Sequence, residues 1–109
     1  MTVVVAERRL DHCDARDVGC AKVFLPELTA RGEWRCEYEI SWPGFKRAHW
    51  TVGVDSWQAV ELAMRSVTAD IELSDAFKAG QIGSLGQPLR TYAELTDAFG
   101  ARPFKVLEQ

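Results

Sequence analysis

Trp34-Arg35-Cys36-Glu37-Tyr38-Glu39-Ile40-Ser41-Trp42 alternates apolar and polar residues over nine positions without an error. Successive side chains of a strand point to opposite faces, so this stretch reads as a β-strand with one buried and one solvated face. Just beyond it, Ala48, Trp50, Val52 and Val54 alternate with Arg47, His49, Thr51 and Gly53, a second strand of the same kind. A two-residue turn at Pro43-Gly44 would set Ile40 opposite Arg47 and put the apolar set of one strand beside the polar set of the other. A one-residue slip inverts a whole face. Pairing Trp42 with Ala48, Ile40 with Trp50 and Tyr38 with Val52 restores one apolar face. Parity therefore predicts a five-residue loop, Pro43 to Arg47, with Phe45, Lys46 and Arg47 projecting from its tip.

Asp55-Ser56-Trp57-Gln58 then announces a helix, with Asp55 as N-cap and Gln58 at the capping-box position. Trp57, Val60, Met64, Val67 and Ile71 recur at helical spacing and form one face. Leu62, Ala69 and Leu73 lie nearly opposite Val60, and Gln58, Glu61, Arg65, Thr68 and Glu72 make a polar strip. Such a helix is covered on two sides, by the sheet and by the C-terminal segment or another chain. Asp70 falls inside the apolar arc, where a carboxylate either finds a partner such as Arg90 or Arg102 or sits at a solvent edge, or caps a next turn, where the helix bends or frays.

Upstream, Val3 to Leu10 reads as a first strand, Asp11 to Gly19 as a polar loop turning at Gly19, and Ala21 to Pro26 as a second strand. Downstream, Gly80 ends the helical region, and Gly83, Gly86 and Pro88 mark a loop. Thr91-Tyr92-Ala93-Glu94 caps a short helix that ends at Gly100, and the tail Arg102 to Leu107 is apolar enough to dock. The expected fold is α+β: a four-stranded antiparallel meander with one long helix on one face and a partly helical C-terminal tail. The whole chain, residues 1–109, reads as a single domain, with its core in residues 3–80 and a loop, short helix and tail in residues 81–109.

Bulk properties bound the function. The chain has 109 residues, 47% of them hydrophobic and 27% charged, which suits one globular domain able to bury its own core. A net charge of -3 disfavours non-specific binding to nucleic acid or anionic membrane. Apolar runs fall short of the roughly 18 residues that span a bilayer. The N-terminal charges follow the apolar run, the reverse of a signal peptide, so a cytoplasmic protein is expected.

Three cysteines argue against a disulfide framework, and Cys36 sits on the apolar strand face as a small core residue. His12, Cys13 and Cys20 match no zinc spacing, and neither metal nor cofactor is expected. His49 with Ser41 and Glu39 makes a conceivable polar trio, with Thr51 on the same face, but on an open sheet face that cannot exclude water. No enzyme is expected.

Ala6-Glu7-Arg8, the strand at Trp34 to Ile40 and the helix start Gly53-Val54-Asp55-Ser56-Trp57-Gln58-Ala59 together resemble a family of small bacterial proteins, the DUF6968-like group. That likeness runs from about Ala6 to Leu73. It implies no catalytic residues. Gly53-x-Asp55-x-x-Gln58-Ala59 is also loosely similar to immunity-type proteins, which neutralise toxins by binding them.

The expected function is a protein-interaction module, of which an immunity or antitoxin-like inhibitor is one form, binding another protein through Phe45, Lys46, Arg47, Glu61, Arg65 and Glu72. The alternative is a small-ligand domain with an aromatic pocket formed by Trp50, Trp57 and Met64. Homodimerisation through a sheet edge or the Leu62, Ala69, Leu73 stripe is a further expectation.

Overall fold

A computed structural model describes residues 3–12 and 15–99. Its sheet holds seven strands: β1 (Val4–His12), β2 (Ala15–Phe24), β3 (Glu27–Leu28), β4 (Trp34–Trp42), β5 (Phe45–Gly53), β6 (Ile82–Ser84) and β7 (Gln87–Pro88). Three helices accompany it, α1 (Ser56–Glu72), α2 (Asp75–Lys78) and α3 (Tyr92–Phe99). The four anticipated strands are β1, β2, β4 and β5, neighbours in meander order and all antiparallel. The sheet exceeds them. Pro26 interrupts the second strand, and its continuation β3 pairs the start of β4.

The region expected as an Asp11 to Gly19 loop is instead the end of β1 and half of β2, with residues 13 and 14 between them outside the described set. Gly19 lies inside β2, where a Cβ would strike the carbonyl of Ser41. Its role is close strand approach, not turning.

The glycine loop is likewise a hairpin. Leu85 (φ 54) and Gly86 (φ 81) both sit in left-handed backbone between Ser84 and Gln87, the primed turn that suits strand twist. β6 then adds to the free edge of β1. A leucine at positive φ is strained, and Leu85 packs little, being 67% exposed. Leu85→Asn should raise stability by about 1 kcal/mol in urea titration.

The two-residue turn dismissed by parity is the one the chain adopts. Trp42 pairs Phe45, Ile40 pairs Arg47 and Tyr38 pairs His49. Gly44 at φ 81 after Pro43 is the pattern of a type II turn. The apolar residues Ala48, Trp50 and Val52 therefore share the open face with Arg35, Glu37 and Glu39. Cys36, Tyr38, Ile40 and Trp42 are buried under α1 as expected.

Ala59, Ala63, Val67 and Ile71 recur every four residues and press α1 onto the sheet, with Leu10, Ala21 and Val23 beneath. Asp55 Oδ1 accepts the Gln58 N–H at 2.8 Å, and Gln58 reaches back to the Val54 N–H. The helix ends at Glu72 rather than running toward Gly80, because Ser74 caps α2 by accepting the Phe77 N–H. On the other flank, α3 packs against α1 through the fully buried Leu95. Its capping box forms as read: Thr91 and Glu94 each accept the other's backbone N–H at 3.1 Å. The extra bond from Arg90 N–H and that from Thr91 hold the Glu94 carboxyl below its ordinary pKa. Gly100 and the tail at residues 102–107 lie outside the described residues. Thr68, expected in the polar strip, is buried and donates back to the Met64 carbonyl.

Cys36 is fully buried, its thiol donating to the Phe24 carbonyl at 3.2 Å. Burial, then the nearby Glu37 charge, pushes the thiol up from 9.0 to about 11. An unfolded Cys36 loses its proton near pH 9 while the folded one keeps it, so stability falls as pH rises from 9 to 11. The loss is about 2 kcal/mol at the top of that window, and Cys36→Ala should flatten this part of a denaturation-versus-pH curve.

Candidate functional site

Two places gather the residues singled out by sequence. The first lies where β5 meets the second half of α1. Asp70 Oδ2 accepts the Tyr38 hydroxyl at 2.6 Å and the Arg47 Nε–H at 2.7 Å. Asp70 thus finds its partners on β4 and β5. Arg90 is not its partner, and Arg102 lies outside the described residues. The Tyr38 phenol is raised in pKa by burial and then by its bond to Asp70, so it stays a donor. Arg47 is raised too, first by the same hydrogen bond, and holds its charge. One carboxylate oxygen receives both donors, which makes a latch between β5 and the helix.

His49 stands beside this latch, stacked on Tyr38 at 6.4 Å. Its Nδ1 accepts the Trp50 N–H at 2.8 Å. With Tyr38 across from it, His49 lies on the helix side, as does Thr51, which donates to the Ala59 carbonyl at 2.9 Å. Ser41 and Glu39 are on the opposite face. The expected outward-facing trio is not assembled.

Residues expected at the loop tip separate in space. Phe45 pairs Trp42 and lines a hollow of about 370 Å³ with Ile71 and Leu73. Lys46 is exposed on the open face, 4.0 Å from Glu39. Arg47 is held by Asp70. Only Pro43 and Gly44 form the tip. Glu61, Arg65 and Glu72 do share the outer side of α1, with Glu61 and Arg65 paired at 3.1 Å.

The second place is the first half of α1. Trp57, read with Val60, Met64, Val67 and Ile71 as one helix face, is 81% exposed. At 100° per residue Trp57, Met64 and Thr68 form one stripe. α3 packs alongside the part of this stripe that holds the buried Thr68. The helix's first turn follows closely on the end of β5, and nothing among the described residues covers Trp57. A groove of about 520 Å³ results, lined by Pro26, Ser56, Trp57, Val60, Glu61 and Met64. Val54 (80% exposed) and Leu28 lie at the same end of the molecule.

Trp50 does not join this groove. It stands on the opposite face with the Arg35 guanidinium 4.1 Å above its ring and Phe24 in the same row across Glu37. The three residues of the aromatic pocket are thus divided between two surfaces. Among the described residues no group of three potential metal ligands converges, and no helix is long and apolar enough to cross a membrane.

Neither the curated proteins nor the solved structures contain a match to this chain. One family does match, over residues 6–94, which takes in all but the first two residues of β1, every other strand, α1, α2 and the first turn of α3. The chain belongs to that family, a domain of unknown function designated DUF6968.

Proposed function

We propose that this protein is a non-enzymatic interaction module that holds an apolar segment of another protein in the groove between Pro26 and the first half of α1. The carrying observation is Trp57, 81% exposed above a groove whose floor is Val60 and Met64. Large aromatics left bare beside an apolar cleft mark interaction surfaces, and tryptophan is a frequent anchor of binding energy. Glu61 at the lip adds selectivity: a segment with an apolar side chain next to a lysine, arginine or N–H donor fits best. The groove offers Ser56 and Glu61 as its polar groups, a sparse set for orienting a small molecule. An inhibitor of immunity type, working in the cytoplasm without cofactor, is one form such a module takes.

The test is affinity capture from the native host with wild type, Trp57→Ala and Phe45→Ala/Arg47→Glu. One partner lost with Trp57→Ala, at unchanged thermal stability, supports this surface. Retention by Trp57→Ala, with loss only in the second variant at unchanged thermal stability, would move the site to the Phe45–Arg47 end of β5.

A further inference from the structure

β5 is an outer strand of the sheet, and among the described residues nothing pairs its far edge. The turn geometry decides which groups face outward. Trp42 and Phe45 are a hydrogen-bonded pair, so Arg47, His49 and Thr51 bond to β4, while the amides and carbonyls of Lys46, Ala48, Trp50 and Val52 point away from it. Residues 46–50 are all exposed. Protected edges carry prolines, bulges or several lysines. β5 pairs without a register shift, has no proline and has one lysine. Among the described residues the His49 ring on the Trp50 N–H is a local cover of that edge.

We propose that this edge takes a second copy of the same chain, whose β5 adds antiparallel about His49 and continues the sheet across a two-fold axis. That register uses the full strand. It sets Ala48 against the partner copy's Trp50, small against large, and Lys46 against its Val52, and Arg47 against its Thr51, so no two formal charges oppose each other. The exposed Trp50 and Val52 gain cross-strand neighbours on the open face.

The helix layer agrees independently. α1 packs over β4 and β5, with α3 on one flank. Leu62, Ser66, Ala69 and Leu73 occupy the other flank, which overlooks the β5 edge; Leu73 is 67% exposed. With strands about 4.8 Å apart, two such helices stand roughly 10 Å from one another, a packing distance that small Ser66 and Ala69 allow. One operation therefore pairs the strand edge and covers the apolar flank.

Sedimentation equilibrium of the full chain, from about 1 μM to 1 mM, tests it, with circular dichroism to verify folding. Wild type should be a concentration-dependent dimer. Ala48→Pro removes an outward amide and leaves the β4 ladder intact, so it should be monomeric. Val52→Lys faces Lys46 of the other copy and should weaken association about tenfold; Lys46→Glu/Val52→Lys should recover it. His49→Val, which uncovers the Trp50 amide, should tighten association about tenfold, since each copy loses a competing bond. If Ala48→Pro does not fold, Leu73→Glu reads the same interface from the helix and should also dissociate it. A monomer throughout the range would overturn the proposal and leave the edge to a strand of another protein. So would a dimer indifferent to Val52→Lys and Leu73→Glu.

Discussion

Gly53→Ala should lower the unfolding free energy by about 3 kcal/mol, among the largest effects of any single methyl in this chain. Gly53 is the last residue of β5, paired with Trp34, and the chain turns directly into α1. A Cβ there would lie 2.5 Å from the Ala59 nitrogen and 3.0 Å from its Cα. Both obstacles are helix backbone, and the Ala59 carbonyl is already bonded to Thr51, so neither side yields without pulling α1 off the sheet. Gly44→Ala is the control. Its φ of 81 strains an alanine but no atom lies within 4 Å, so it should lose only about 1 kcal/mol. Equal losses at the two positions in urea titration would refute the close-approach explanation.

Asp70→Ala should cost about 2 kcal/mol. It leaves the buried Tyr38 hydroxyl without its acceptor and Arg47 without its counter-ion. Arg47 is 44% exposed and rehydrates readily, so its share is small, and Arg47→Ala alone should lose about 0.5 kcal/mol. The larger share belongs to Tyr38, 3% exposed. Tyr38→Phe combined with Asp70→Ala should therefore be less damaging than the sum of the singles by about 1 kcal/mol. Strict additivity would mean that the phenol and carboxylate are not coupled.

The buried strand, the cap at Asp55 and the second capping box at Thr91 were all legible, because each is a local rule satisfied by local residues. Cys36 through Trp42 needs only period two, and Asp55 with Gln58 needs only four positions. The register of β5 was not legible by parity. Parity holds only where the apolar set of a strand faces the core, and β5 is an edge whose helix side is satisfied by polar partners: Asp70 for Arg47, the Ala59 carbonyl for Thr51 and Tyr38 for His49. Pro-Gly turn chemistry then decided the register. Asp70 signalled its need for a donor, but the donor came from a strand whose facing had been inverted. Trp57 kept helical period with the core yet is 81% exposed, because which part of a helix its neighbours cover is not encoded in periodicity. β6 and β7 were hidden because three glycines in seven residues read as a loop, whereas a primed turn uses positive φ to make a hairpin.

Occupation of the Trp57 groove by another protein can be read by photo-crosslinking in the native host, with a benzophenone amino acid placed singly at position 57, 60 or 72. A discrete adduct to one and the same partner from positions 57 and 60, and none from 72 on the outer helix strip, is the predicted result. Adducts from 72 alone, or no protein adduct from 57 and 60 while the folded chain is present, would contradict it.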